Sequence, residues 1–93
     1  MIIIWSPQAM RDLDDIYTYV VADRPSSAMR LRKAITSAVE GLIRFPSSGR
    51  PGRVPYTREL VVPRTPFVIP YKVEGQRLMI LRVFHGAQSW PEA

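Results

Sequence analysis

Residues 77–91 read Arg-Leu-Met-Ile-Leu-Arg-Val-Phe-His-Gly-Ala-Gln-Ser-Trp-Pro, and their first half is the most hydrophobic run in the chain. In an extended backbone Leu78, Ile80 and Phe84 fall on one face, and Met79, Leu81 and Val83 on the other. A strand that is apolar on both faces is covered on both, which predicts an interior place in a β-sheet. Arg82 breaks the apolar run three residues before His85, the only histidine of the chain. His85-Gly86-Ala87-Gln88 then follows where a central strand delivers side chains to a sheet edge.

Immediately upstream, Thr57–Val62 and Phe67–Val73 read as two more strands, joined by Pro63-Arg64-Thr65-Pro66. The turn Glu74-Gly75-Gln76 leads into the 77–84 strand, giving a three-stranded antiparallel meander. Pro70 lacks a ladder donor, so it predicts a bulge or a side without a neighbour. Residues 45–55 (Phe-Pro-Ser-Ser-Gly-Arg-Pro-Gly-Arg-Val-Pro) carry three prolines and two glycines and read as a loop. Arg44, Arg50 and Arg53 lie in or beside it. It is either a solvated connector or a mobile basic loop that meets phosphates or acidic side chains.

Further back, Ile2–Trp5 is a short β-branched and aromatic strand. Ser6-Pro7 starts a helix, with serine as N-cap and proline at the first helical position. Met10, Leu13, Ile16, Tyr17, Val20 and Val21 form its apolar face, leaving Asp12, Asp15 and Thr18 outward. A break at 23–27 precedes a second helix from about Ser26 to Arg44. Ala28, Leu31, Ile35, Ala38, Val39 and Leu42 line one of its faces. So short a joint predicts an antiparallel helical hairpin. The class is α+β: an N-terminal strand and a helical hairpin packed on a C-terminal meander.

Ninety-three residues, 46% of them hydrophobic, make a single globular domain spanning 1–93. No cysteine is present, which fits a reducing cytoplasm. The apolar start stops at Ser6-Pro7, too short for a signal peptide or membrane span. The net charge of +5 is unevenly placed. Residues 1–23 hold one arginine against four aspartates, whereas residues 24–93 hold twelve basic and four acidic residues. An arginine-rich body points to an anionic partner, either nucleic acid or an acidic protein segment. One histidine and carboxylates clustered on a helix support no metal site, and no cofactor motif is present. The Asp12, Asp14 and Asp15 cluster reads as a solvated helix face.

The order of elements resembles the RelE/ParE superfamily of bacterial toxins, the toxin halves of type II toxin–antitoxin modules. The residues that carry the likeness are Ser6-Pro7, Asp12-Leu13, Ile16-Tyr17, Phe45-Pro46 with Gly49-Arg50, Arg58-Glu59-Leu60, Phe67-Val68-Ile69 before Tyr71, and the block Ile80 to Ala87. The helical hairpin, the Phe-Pro…Gly-Arg loop and the His-Gly-Ala tail look more like the ParE branch. That resemblance implies a growth-inhibiting, plasmid-stabilising toxin that poisons DNA gyrase and is neutralised by a cognate antitoxin. Operator DNA would be met only through the antitoxin, and no membrane is involved. The alternative is a RelE-like endoribonuclease acting on messenger RNA in the ribosome. A third reading is a degenerate toxin serving as co-repressor.

RNA cleavage needs proton transfer and a stabilised phosphorane. His85 is the candidate acid or base, because imidazole changes charge near neutrality. Arg82 and Arg58 are candidate phosphate clamps, and Glu59 a second candidate base. For binding an antitoxin or target, the candidates are Arg50, Arg53, Arg58, Tyr71, Gln88 and Trp90. Structural roles are equally concrete: His85 as a hydrogen-bonded strand end, Arg82 paired with Glu59 or Glu74, and Trp90 as a tail anchor.

Overall fold

A computed structural model describes residues 1–91. The elements run β1 (Ile2–Trp5), α1 (Pro7–Asp23), α2 (Pro25–Arg44), β2 (Arg50–Pro51), β3 (Arg58–Val61), β4 (Phe67–Glu74), β5 (Arg77–Ile80) and β6 (Phe84–His85). The strands form one sheet in the order β1-β5-β4-β3-β2, with β6 also on β4. As the apolar run requires, β5 is interior: β1 pairs with it in parallel and β4 antiparallel.

Ser6 starts α1 and ties it to the sheet at once. Its hydroxyl oxygen accepts from the Ala9 N–H (3.0 Å), and the hydroxyl donates to the Leu81 carbonyl (2.8 Å). Arg24 alone separates the helices. Its N–H closes α1 on the Val20 carbonyl, and Pro25 opens α2. Ile35, Val39 and Leu42 of α2 pack with Ile69, Tyr71, Leu78 and Ile80 of the sheet. Leu13, Ile16 and Tyr17 of α1 flank this core, but Met10 and Val21, expected on the same face, are largely exposed. The buried stripe of α1 is therefore narrower than its apolar pattern.

Two further expectations change. The meander is extended by β1 on one side. On the other, the Pro/Gly loop supplies the short β2, whose Arg50 and Pro51 oppose Glu59 and Arg58. The apolar run at 77–85 is also not one strand. Tyr71 opposes Ile80, but Val68 opposes Phe84, so the register slips by one residue between β5 and β6. Two residues of β4 face three of the partner, which is a bulge at 81–83. Pro70 sits opposite it, its carbonyl accepting from the Leu81 N–H (2.9 Å). The donor that proline lacks is thus missing where the ladder is already broken.

The slip reverses the faces. A one-residue shift sends every later side chain to the other side of the sheet. Val83 turns into the helix-covered core, and Phe84 pairs with Val68 on the opposite face. The expectation that Phe84 shares a face with Leu78 and Ile80 fails for this reason.

Candidate binding site

Asp12, expected in solvent, holds the bulge. Its Oδ2 accepts from Arg82 Nε (2.8 Å) and from the Val83 N–H (2.9 Å), and Oδ1 accepts from Arg82 Nη2 (3.1 Å). Arg82 thus pairs with Asp12, not with Glu59 or Glu74. Bulging turns the Val83 N–H off the ladder toward α1, and a carboxylate one turn into that helix is in place to take it. The bidentate guanidinium contact completes a charge-assisted set.

Once Phe84 is on the open face, other groups gather on it. The Trp90 ring stacks on Phe84 with centroids 5.8 Å apart. The Arg53 guanidinium lies 5.2 Å from the Phe84 centroid. It also reaches the carbonyls of Gln88 (3.4 Å) and Trp90 (3.5 Å), and its Nε is 3.4 Å from Glu59 Oε2. Arg53 therefore fastens the tail to the loop. Glu59, a candidate base from sequence, is buried beneath this cluster at 2% exposure. Its Oε1 accepts from Arg50 Nη2 (3.0 Å), and its Oε2 from the Arg53 backbone N–H (2.9 Å). A buried carboxylate requires such partners.

The helix-facing side of the sheet fastens the same loop from beneath. The Tyr71 hydroxyl donates to the Pro46 carbonyl (2.7 Å) and accepts from the Gly49 N–H (2.9 Å). A Cβ on Gly49 would lie 2.6 Å from the tyrosine ring, so only glycine permits this approach. Arg58 Nη1 donates to the Gly49 carbonyl (2.9 Å). The 45–57 segment is thus neither a plain connector nor a detached basic arm. It is stitched to β3 and β4 from both faces.

The predicted binding residues divide accordingly. Arg50, Arg53, Gln88 and Trp90 come together on or beside the open face. Arg58 and Tyr71 lie on the other, and Tyr71, expected at a contact surface, is fully buried. The candidate catalytic residues do not converge. His85 ends β6, its Nδ1 accepting from the Ala87 N–H (3.1 Å) and its own N–H donating to Gln88 Oε1 (2.7 Å). Phe67 meets the imidazole edge-on at 6.1 Å. Arg58 opposes Tyr71 on β4, and His85 opposes Phe67, four residues or roughly 13 Å along the strand. Arg82 is bound to Asp12, away from both partners' bonds. Lys72, the meander's one lysine, donates to Glu74 (2.9 Å), and that hydrogen bond holds the Glu74 carboxyl below the usual carboxylate range. Among the described residues no His/Asp/Glu group is arranged to hold a metal, and no helix is long and apolar enough to cross a membrane.

A groove of about 770 Å³ runs between α2 and the turn at 63–65. Leu31, Ala34, Ala38 and Pro63 supply apolar lining, and Arg30, Lys33 and Arg64 supply charge. Among the described residues none of these three cations has a carboxylate partner. Arg64 stands at φ 63° at the tip of the turn.

Residues 3–90 match the model of a protein family, the ParE toxin of the type II toxin–antitoxin system parDE. The chain belongs to the ParE toxin family. It is 43% identical over 88 residues to Y4kP of Sinorhizobium fredii, named as a toxin, covering 95% of this chain and 91% of that one. Toxin RelE1 of Caulobacter vibrioides is 31% identical over 89 residues, covering 94% and 95%. Among solved structures, a chain of the chromosomal ParDE system of P. aeruginosa superposes with a TM-score of 0.82 at 34% identity, covering 91% and 95%. A chain of the RelBE2 toxin–antitoxin complex of Mycobacterium tuberculosis shares the fold at a TM-score of 0.61 and 22% identity, covering 90% and 95%. This ParE-family chain is therefore a toxin of the type II toxin–antitoxin class, and the α+β architecture is that of the family's solved members.

Proposed function

We propose that this ParE-family toxin arrests bacterial growth by binding DNA gyrase, and that a cognate antitoxin neutralises it. One observation carries the choice of a binding mechanism over RNA cleavage. His85, Arg82 and Arg58 are each engaged by a different local partner and do not share a cavity. General acid–base work on RNA asks for such groups within hydrogen-bond reach of one phosphate. The groups that do gather, Arg53, Gln88 and Trp90 over the buried Phe84 ring, form a packed aromatic and cationic surface suited to a protein partner.

The test is expression of the chain without antitoxin, with gyrase supercoiling assayed and transcript ends mapped in the same cells. Growth arrest with lost supercoiling and intact transcripts is the expected result, and His85→Ala is expected to stay toxic. New transcript ends within codons, abolished by His85→Ala, would instead make the protein an endoribonuclease.

A further inference from the structure

Tyr56 stands out on two independent measures. It is 99% exposed, and its φ is +66°, a left-handed conformation that strains a non-glycine residue. Val54-Pro55-Tyr56-Thr57 is a tight turn, closed by the Thr57 N–H on the Val54 carbonyl (3.3 Å) and by the Thr57 hydroxyl on the same oxygen (2.7 Å). Proline at its second position and positive φ at its third form a pattern whose usual third residue is glycine or asparagine. The ring returns nothing to the fold for that strain.

The turn is held still. Gly52 N–H donates to the Thr57 carbonyl (2.8 Å), and the Arg53 N–H donates to the buried Glu59. An aromatic side chain held out on a fixed backbone has its backbone entropy already removed, which is a property of an interface anchor. The charges nearby favour protein over nucleic acid as partner. Arg50 and Arg53 both turn back onto Glu59, away from the turn, so the turn itself offers an aromatic ring beside exposed Pro55 rather than a row of phosphate contacts.

We propose that Tyr56 is a preorganised anchor that inserts into an apolar pocket on the toxin's target protein. The assignment rests on the gyrase reading above. No residue of this turn lines the cationic groove beside α2, and an equal loss of antitoxin binding is the outcome that tells against this assignment.

The test compares the wild-type chain, Tyr56→Gly and Tyr56→Phe for binding to purified DNA gyrase and to purified antitoxin, with melting temperature recorded for each. Glycine relieves the backbone, so Tyr56→Gly is expected to melt at the same or a higher temperature. It is expected to lose gyrase affinity by about tenfold or more, as hot-spot truncations do, and to keep its antitoxin affinity. Tyr56→Phe retains the ring and is expected to keep most gyrase binding. Unchanged gyrase affinity in Tyr56→Gly would overturn the anchor. So would a lower melting temperature, which would mark a structural role, or an equal loss of antitoxin binding. A wild-type chain that does not bind gyrase would overturn the gyrase reading itself, and this assignment with it.

Discussion

Asp12 shows how much one side chain can settle. Its carboxylate takes the Val83 N–H and two nitrogens of the Arg82 fork, and so stabilises the bulge that puts Val83 on the helix-covered face and Phe84 on the other. Removing it takes a charged acceptor from a part-buried guanidinium and the acceptor from the Val83 N–H. Asp12→Ala is expected to lower stability by about 2–4 kcal/mol, read from urea denaturation midpoints. Arg82→Ala should cost less, because Asp12 keeps the Val83 N–H. Equal, small losses in both variants would show that the bulge does not depend on this pair. Asp12 was misread from sequence because helical spacing places it on the polar face. Only the approach of the 81–83 segment turns that position inward.

The element most altered by tertiary contact is the 45–57 segment. Its prolines and glycines are those of a loop, and a loop it largely is. Yet Tyr71 and Arg58 hold one stretch and Glu59 the next, from opposite faces of β3 and β4. Tyr71→Phe removes both hydroxyl bonds and strands the Gly49 N–H against a buried ring. The expected loss is about 1–3 kcal/mol in thermal unfolding, with faster amide exchange at Gly49 than at core strand positions. Unchanged exchange there would mean that the hydroxyl does not secure the loop. Glu59 was legible only as a strand residue with a chemically useful group. Its real partners, Arg50 and Arg53, were visible as charges but not as neighbours, since a two-residue strand leaves almost no periodicity to read.

Across the whole molecule, charge separates into committed and uncommitted parts. Arg50, Arg53 and Arg82 answer internal carboxylates, while Arg30, Lys33 and Arg64 ring an apolar groove with no carboxylate partner among the described residues. An antitoxin segment that is acidic would complement that groove more than the loop, where Glu59 offsets part of the arginine charge. Reversing all three charges, with Arg30→Glu, Lys33→Glu and Arg64→Glu together, is expected to weaken antitoxin binding by about 10–100-fold, mainly through the association rate and more strongly at low salt. Binding that is indifferent to both the substitutions and the salt would place the antitoxin elsewhere.

What local chemistry dictates was readable in the chain. Ser6-Pro7 capped a helix as capping residues do, the 3.6-residue apolar spacing made α2, and alternation with Gly75 at a turn of φ +58° made the β4–β5 hairpin. The family likeness rested on the same local blocks. Faces, pairings and sites came from tertiary structure, because they depend on which distant groups meet. The parallel β1–β5 pair, the register slip opposite Pro70, the inward turn of Asp12 and the groove beside α2 each join segments far apart in the chain. A residue inserted into one strand is invisible to a two-residue period until its partner strand is beside it, and that insertion is what sends Val83 to the helix-covered face and Phe84 to the other.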